Sequence, residues 1–104
     1  MKVVQISPRG KSSLYGILVK REAAIRAGGR GTFVRSGRKT ARAATWKHKK
    51  FRGSVNLKRD DSEAVTAKVR SSSPEDERKL LSSFLGFVDR QCGDEVASIR
   101  IDYH

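Results

Sequence analysis

Cysteine is nearly absent from this chain. Cys92 is the only one among 104 residues, so no internal disulfide framework can hold the fold together. Histidine is almost as scarce, and His48 and His104 with one thiol do not make up a zinc-ligand set. No cysteine–histidine or serine–histidine–acid order points to nucleophilic catalysis. The carboxylates that a metal-dependent nuclease needs sit where ordinary structure accounts for them. Asp60 and Asp61 fall in a turn-forming cluster, and Glu75, Asp76 and Glu77 in a first helical turn. These absences predict a non-enzymatic protein with no catalytic residues, metal or cofactor. No apolar run nears the roughly 20 residues that span a bilayer. The segment 1–8 lacks the apolar stretch and small-residue cleavage site of a secretory signal. The expected setting is cytoplasmic, with no membrane partner.

Negative charge is missing from one long stretch. No carboxylate occurs between Ala23 and Arg59, where twelve Lys and Arg accumulate. Residues 1–59 carry 17 Lys and Arg against Glu22 alone, a net of +16, whereas residues 60–104 carry 6 against 10 acids, a net of −4. Together these make the chain's +12 at pH 7. Such a density repels itself in a compact state unless a polyanion neutralises it, which makes nucleic acid the leading candidate partner.

The apolar residues, 37% of the chain, are few but clustered, which predicts one small α+β domain over residues 1–104 rather than a disordered chain. Residues 51–104 read as a strand-strand-helix-strand core with its main helix packed on one face of a small antiparallel or mixed sheet. Phe51, Val55, Leu57, Val65, Ala67 and Val69 alternate with polar residues on both sides of the Asp60–Glu63 turn, a hairpin pattern. Ser73 is placed to cap a helix, Pro74 suits its first position, and Asp76 sits where a capping-box side chain reaches back. Leu80, Leu81, Phe84, Leu85, Phe87 and Val88 then form a stripe at helical spacing that ends near Gly93. A last alternation, with Ala97, Ile99, Ile101 and Tyr103 on one side, is a strand.

Residues 1–50 form a basic N-terminal part with weaker patterning. Lys2–Ser7 reads as a strand. Leu14–Val19 can pair with it as a hairpin or begin a helix running to Ala27; Gly16 with its β-branched neighbours favours the hairpin, while Arg21–Ala27 reads as helical and stops at Gly28-Gly29. Gly28-Gly29-Arg30-Gly31 is expected to be a hinge, since it lacks the Gly-Lys-Ser/Thr ending of a phosphate-binding loop. Thr32–Arg35 and Thr40–Lys47 are either two further strands or part of a flexible segment, 26–50, that orders on its partner.

The candidate nucleic-acid-binding residues follow from this charge map: Arg26, Arg30, Arg35, Arg38, Lys39, Arg42, Lys47, Lys49, Lys50, Arg52, Lys58, Lys68 and Arg70, together with Trp46 and His48. Trp46-Lys47-His48-Lys49-Lys50-Phe51-Arg52 mixes rings with cations, as single-strand sites do when bases stack on aromatics. The competing reading places Trp46 and Phe51 in the core. If the alternation holds, Arg52, Lys58, Lys68, Arg70 and Arg100 share the solvent face of the sheet. Asn and Gln, which read base edges, are scarce, so contacts to phosphates of RNA or single-stranded DNA are expected. Two alternatives remain at this point: an inhibitor or adaptor module engaging an acidic protein surface, and a small domain that dimerises through a free sheet edge.

Overall fold

The alternating segments become strands and the capped stripe becomes a helix. A computed structural model describes residues 1–104 as β1 (Lys2–Pro8), α1 (Leu14–Ala27), β2 (Phe33–Ser36), β3 (Ala43–His48), β4 (Ser54–Arg59), β5 (Val65–Arg70), α2 (Pro74–Cys92) and β6 (Val96–Tyr103). The six strands form one sheet in the order β2-β3-β4-β5-β1-β6, with every neighbouring pair antiparallel. The fold class is α+β. Strands β2 to β5 are a simple meander, while β1 inserts between β5 and β6 and pairs with both.

Helix α2 starts as the sequence predicts: the Ser73 hydroxyl accepts the Asp76 N–H at 3.2 Å and Pro74 occupies the first turn. Asp76 departs from the capping-box expectation. Its carboxylate accepts the Arg52 N–H at 3.1 Å, tying the β3–β4 turn to the helix start. Leu80, Leu81, Phe84, Phe87, Val88 and Cys92 are buried against the sheet, each large side chain contributing about 1.5–3 kcal/mol by leaving water.

Leu14–Ala27 is a helix rather than a hairpin strand. The Ser13 hydroxyl caps it by accepting the Gly16 N–H at 3.1 Å. Leu14, Tyr15, Leu18, Val19 and Glu22 fall on one buried face at helical spacing. That spacing outweighs the local preference of Gly16 and the β-branched residues. With α1 formed, β1 is left to pair with β5 and β6 instead.

Segment 26–50 contains β2 and β3, which match the expected strands to within a few residues. Phe33 and Trp46 explain why this basic stretch is ordered. Both are buried, and they meet Phe84 and Phe87 of α2 in an aromatic cluster with ring centroids 5.1–6.4 Å apart. One cluster of 20 buried hydrophobic residues runs from Val4 to Cys92. Both helices lie on the same face of the sheet, since the residues of β1, β3, β4 and β5 that are buried all share it. The other face is open.

Candidate nucleic-acid interface

Residues directly opposite in adjacent strands share a face, so the register defines the open one. Lys58 of β4 lies opposite Thr66 of β5, Thr66 opposite Gln5 of β1, and Gln5 opposite Arg100 of β6. The adjacent row carries Thr45, Asn56, Lys68 and Val3 in the same order across the sheet. Arg70 pairs with Ser54 one row further, and Lys47 follows Trp46 on β3 with the opposite facing. Lys47, Lys58, Lys68, Arg70 and Arg100 are therefore exposed together.

Within this face is a shallow depression floored by Thr45, Asn56 and Thr66 and walled by Lys58, Lys68 and Arg70. The Thr45 hydroxyl donates to Asn56 Oδ1 at 2.8 Å, and the Asn56 amide N–H groups make no hydrogen bond within the protein. No carboxylate lines the depression. Its polar groups are hydroxyls, an amide and cations, a donor-rich set suited to anionic oxygens.

Six of the 23 Lys and Arg are ion-paired. Lys2 pairs with Glu77, Arg26 with Glu22, Arg42 with Asp61, Arg59 with Glu63, Lys79 with Glu75 and Arg100 with Asp102. Lys47, Lys58, Lys68 and Arg70 have no carboxylate within 4.0 Å. Arg70 only approaches the Met1 sulfur, at 3.1 Å. Their fields add without local compensation on one flat face.

The structure does not bring all the sequence candidates together. Arg38, Lys39 and Arg42 occupy the β2–β3 loop at one end of the sheet, where the Tyr15 hydroxyl donates to the Thr40 carbonyl at 2.8 Å. Lys49, Lys50 and Arg52 occupy the β3–β4 turn at the opposite end, so Arg52 is not on the open face as the alternation suggested. Its alternation breaks because β4 begins only at Ser54. Arg26 lies in the last turn of α1 and Arg30 beyond the helix. Arg35 lies opposite Trp46 on the helix-covered face, with its Nε buried and without a hydrogen-bond partner.

Trp46 is a core residue, 0% exposed, and offers no ring to a base. His48 is a turn staple: its Nδ1 accepts the N–H groups of Lys50 at 3.0 Å and Phe51 at 3.4 Å. Its ring stacks on Phe51 and meets the Phe33 edge. Burial, with the Lys50 charge, pushes its pKa below the usual imidazole value, in keeping with an unprotonated Nδ1. Cys92 is buried at the end of α2, and desolvation, with Glu95 nearby, raises its thiol to about 11. The open face itself carries no aromatic ring.

Charge density in the sequence singled out Lys47 and Lys58, and strand alternation Lys68 and Arg70, but neither found the neutral floor beneath them. Thr45, Asn56 and Thr66 become a site only once β3, β4 and β5 are side by side. No helix is long and apolar enough to cross a membrane. No family model matches the chain, and neither a curated protein nor a solved structure shows significant similarity to it.

Proposed function

We propose that this protein is a non-enzymatic nucleic-acid-binding domain that holds the backbone of single-stranded RNA or DNA on its open sheet face. The observation that carries this reading is the carboxylate-free depression of Thr45, Asn56 and Thr66 walled by the unpaired Lys58, Lys68 and Arg70. Lys58 and Arg100 are three strands apart, about 14 Å at ordinary strand spacing, so the cations follow a path across the sheet. A flat face suits an extended strand better than the groove of a duplex, which admits a helix or a two-stranded ribbon. Without exposed rings on that face, stacking contributes little and phosphate contact dominates. Selectivity among sequences is accordingly weak.

Fluorescence anisotropy with labelled single-stranded RNA, single-stranded DNA and duplex at two salt concentrations tests this. Neutralising about four phosphates of a single strand corresponds to a roughly 50-fold loss of affinity between 50 and 200 mM salt. The triple variant K58E/K68E/R70E is expected to lose binding while remaining folded by circular dichroism. The variant R38E/K39E/R42E, which alters the loop at the sheet end, is expected to retain most of it. Wild-type protein that binds no oligonucleotide at low salt overturns the proposal, and loss confined to the loop variant moves the contact surface off the sheet.

A further inference from the structure

The two edges of the sheet are unlike each other. Edge strand β2 has only four residues and is bracketed by Gly31 and Gly37, both at positive φ. It is short and interrupted, features that discourage pairing with another chain. Edge strand β6 is the longest in the protein, eight residues, and contains neither proline nor glycine. Its only irregularity lies at its start, where the pairing with β1 shifts near Pro8.

The helices do not roof β6. On the helix-side face of this strand Ile99 is 39% exposed and Tyr103 70%. The third large exposed hydrophobic residue, Met1, turns its sulfur to Arg70 on the open face instead. Two of the three large exposed hydrophobic residues thus lie together at an open strand edge.

We propose that β6 pairs with β6 of a second copy of this chain, antiparallel and centred on Ile101, to form a twofold dimer with a continuous twelve-stranded sheet. The strand's sequence is self-complementary about that residue. Antiparallel pairing there sets Ile99 opposite the second copy's Tyr103 and Ile101 opposite its own counterpart on the apolar face. On the other face it sets Arg100 opposite the second copy's Asp102, twice. A shift of the centre to Arg100 or Asp102 instead places like charges opposite one another at the axis. The backbone agrees with this register. His104 donates its N–H to the Met1 carbonyl at 3.0 Å, so the even-numbered residues of β6 bond inward to β1. By alternation, Ile99, Ile101 and Tyr103 direct their N–H and C=O groups outward, where they can be exchanged with the second copy.

The twofold axis is perpendicular to the sheet, so both open faces lie on the same side. Two sets of Lys58, Lys68 and Arg70 then form one surface, although the pairing itself does not depend on what that surface binds.

The test is the mass in solution by light scattering of concentrated protein without nucleic acid. Wild-type protein is expected at twice the 11.6 kDa of one chain. R100D sets two acids opposite each other at both sides of the axis and is expected to be monomeric with unchanged circular dichroism. The exchange variant R100D/D102R restores both cross-axis pairs and is expected to dimerise again. A monomeric wild type, a dimeric R100D, or an exchange variant that stays monomeric each overturns the proposal. None of these outcomes bears on oligonucleotide binding, which is measured separately.

Discussion

Lys2 on β1 places its Nζ 2.6 Å from Glu77 Oε1 in the first turn of α2, joining positions 75 residues apart. Both side chains are largely buried, and the α-amino group of Met1 approaches the second oxygen of Glu77 at 3.3 Å. The same Lys2 ammonium lies 5.6 Å from the centre of the Tyr103 ring. One cation therefore links the first strand, the main helix and the last strand.

The hydrogen bond from Lys2 holds the Glu77 carboxyl below its ordinary value of 4.5, against the opposing effect of burial. A carboxylate depressed in the folded state stabilises the fold above its unfolded pKa and loses that contribution as pH falls through the folded value. Glu77→Gln is expected to lower stability at pH 7 by about 1–3 kcal/mol, the range for a hydrogen bond to a charged group. Urea titrations of wild type and variant should converge as the pH falls below the ordinary carboxyl value of 4.5. A gap between them that stays constant on acidification contradicts the assignment.

Gly53 opens β4 at a φ of 120°, a conformation that side-chain-bearing residues rarely adopt. A Cβ there would collide with the Arg70 carbonyl and with a methyl group of Leu80. Gly53→Ala is therefore expected to destabilise the protein severely, by several kcal/mol, seen as a collapse of the thermal midpoint. Gly10→Ala, where a Cβ meets nothing within 4 Å, is the matched control and should change little.

Trp46 reports on binding by not responding to it. Its indole is enclosed by Phe33, Phe84 and Phe87 on the face away from the proposed site. Its emission is expected to be that of a buried indole and to shift neither in wavelength nor in intensity when a single-stranded oligonucleotide saturates the protein. Strong quenching on binding indicates base stacking on Trp46, which the fold does not permit without opening the core. Trp46→Ala is expected to cost about 3–5 kcal/mol of stability, as large-to-small core changes do.

Much of this architecture is legible in the chain because its C-terminal half obeys simple periods. The Val65–Val69 alternation, the Ser73-Pro74 helix start and the Phe84–Val88 stripe each admit one reading, and the structure follows them. Residues 14–19 are less legible, since β-branched residues beside a glycine suit a strand while Leu14, Leu18 and Glu22 suit a helix face. The Ser13 cap decides, but serine is too common for its presence to settle the choice in advance. The charge map carries a different kind of ambiguity. A run of cations in sequence says nothing of which face each one reaches, and Arg35 and Lys47, twelve residues apart, are on opposite sides of the same sheet. Strand order, which brings Asn56 beside Lys68 and Gln5 beside Arg100, has no local signature at all.

The position of β1 between β5 and β6 has a consequence for how the protein is made. The meander from β2 to β5 contains only neighbouring hairpins, which are contacts of short sequence separation. Strand β1 precedes β5 by some sixty residues, and its other partner, β6, lies beyond α2. Until both partners are in place its apolar Val4 and Ile6 have no seat in a finished sheet. The nascent chain thus passes through a stage with an unsealed strand, the kind of species that chaperones hold during synthesis.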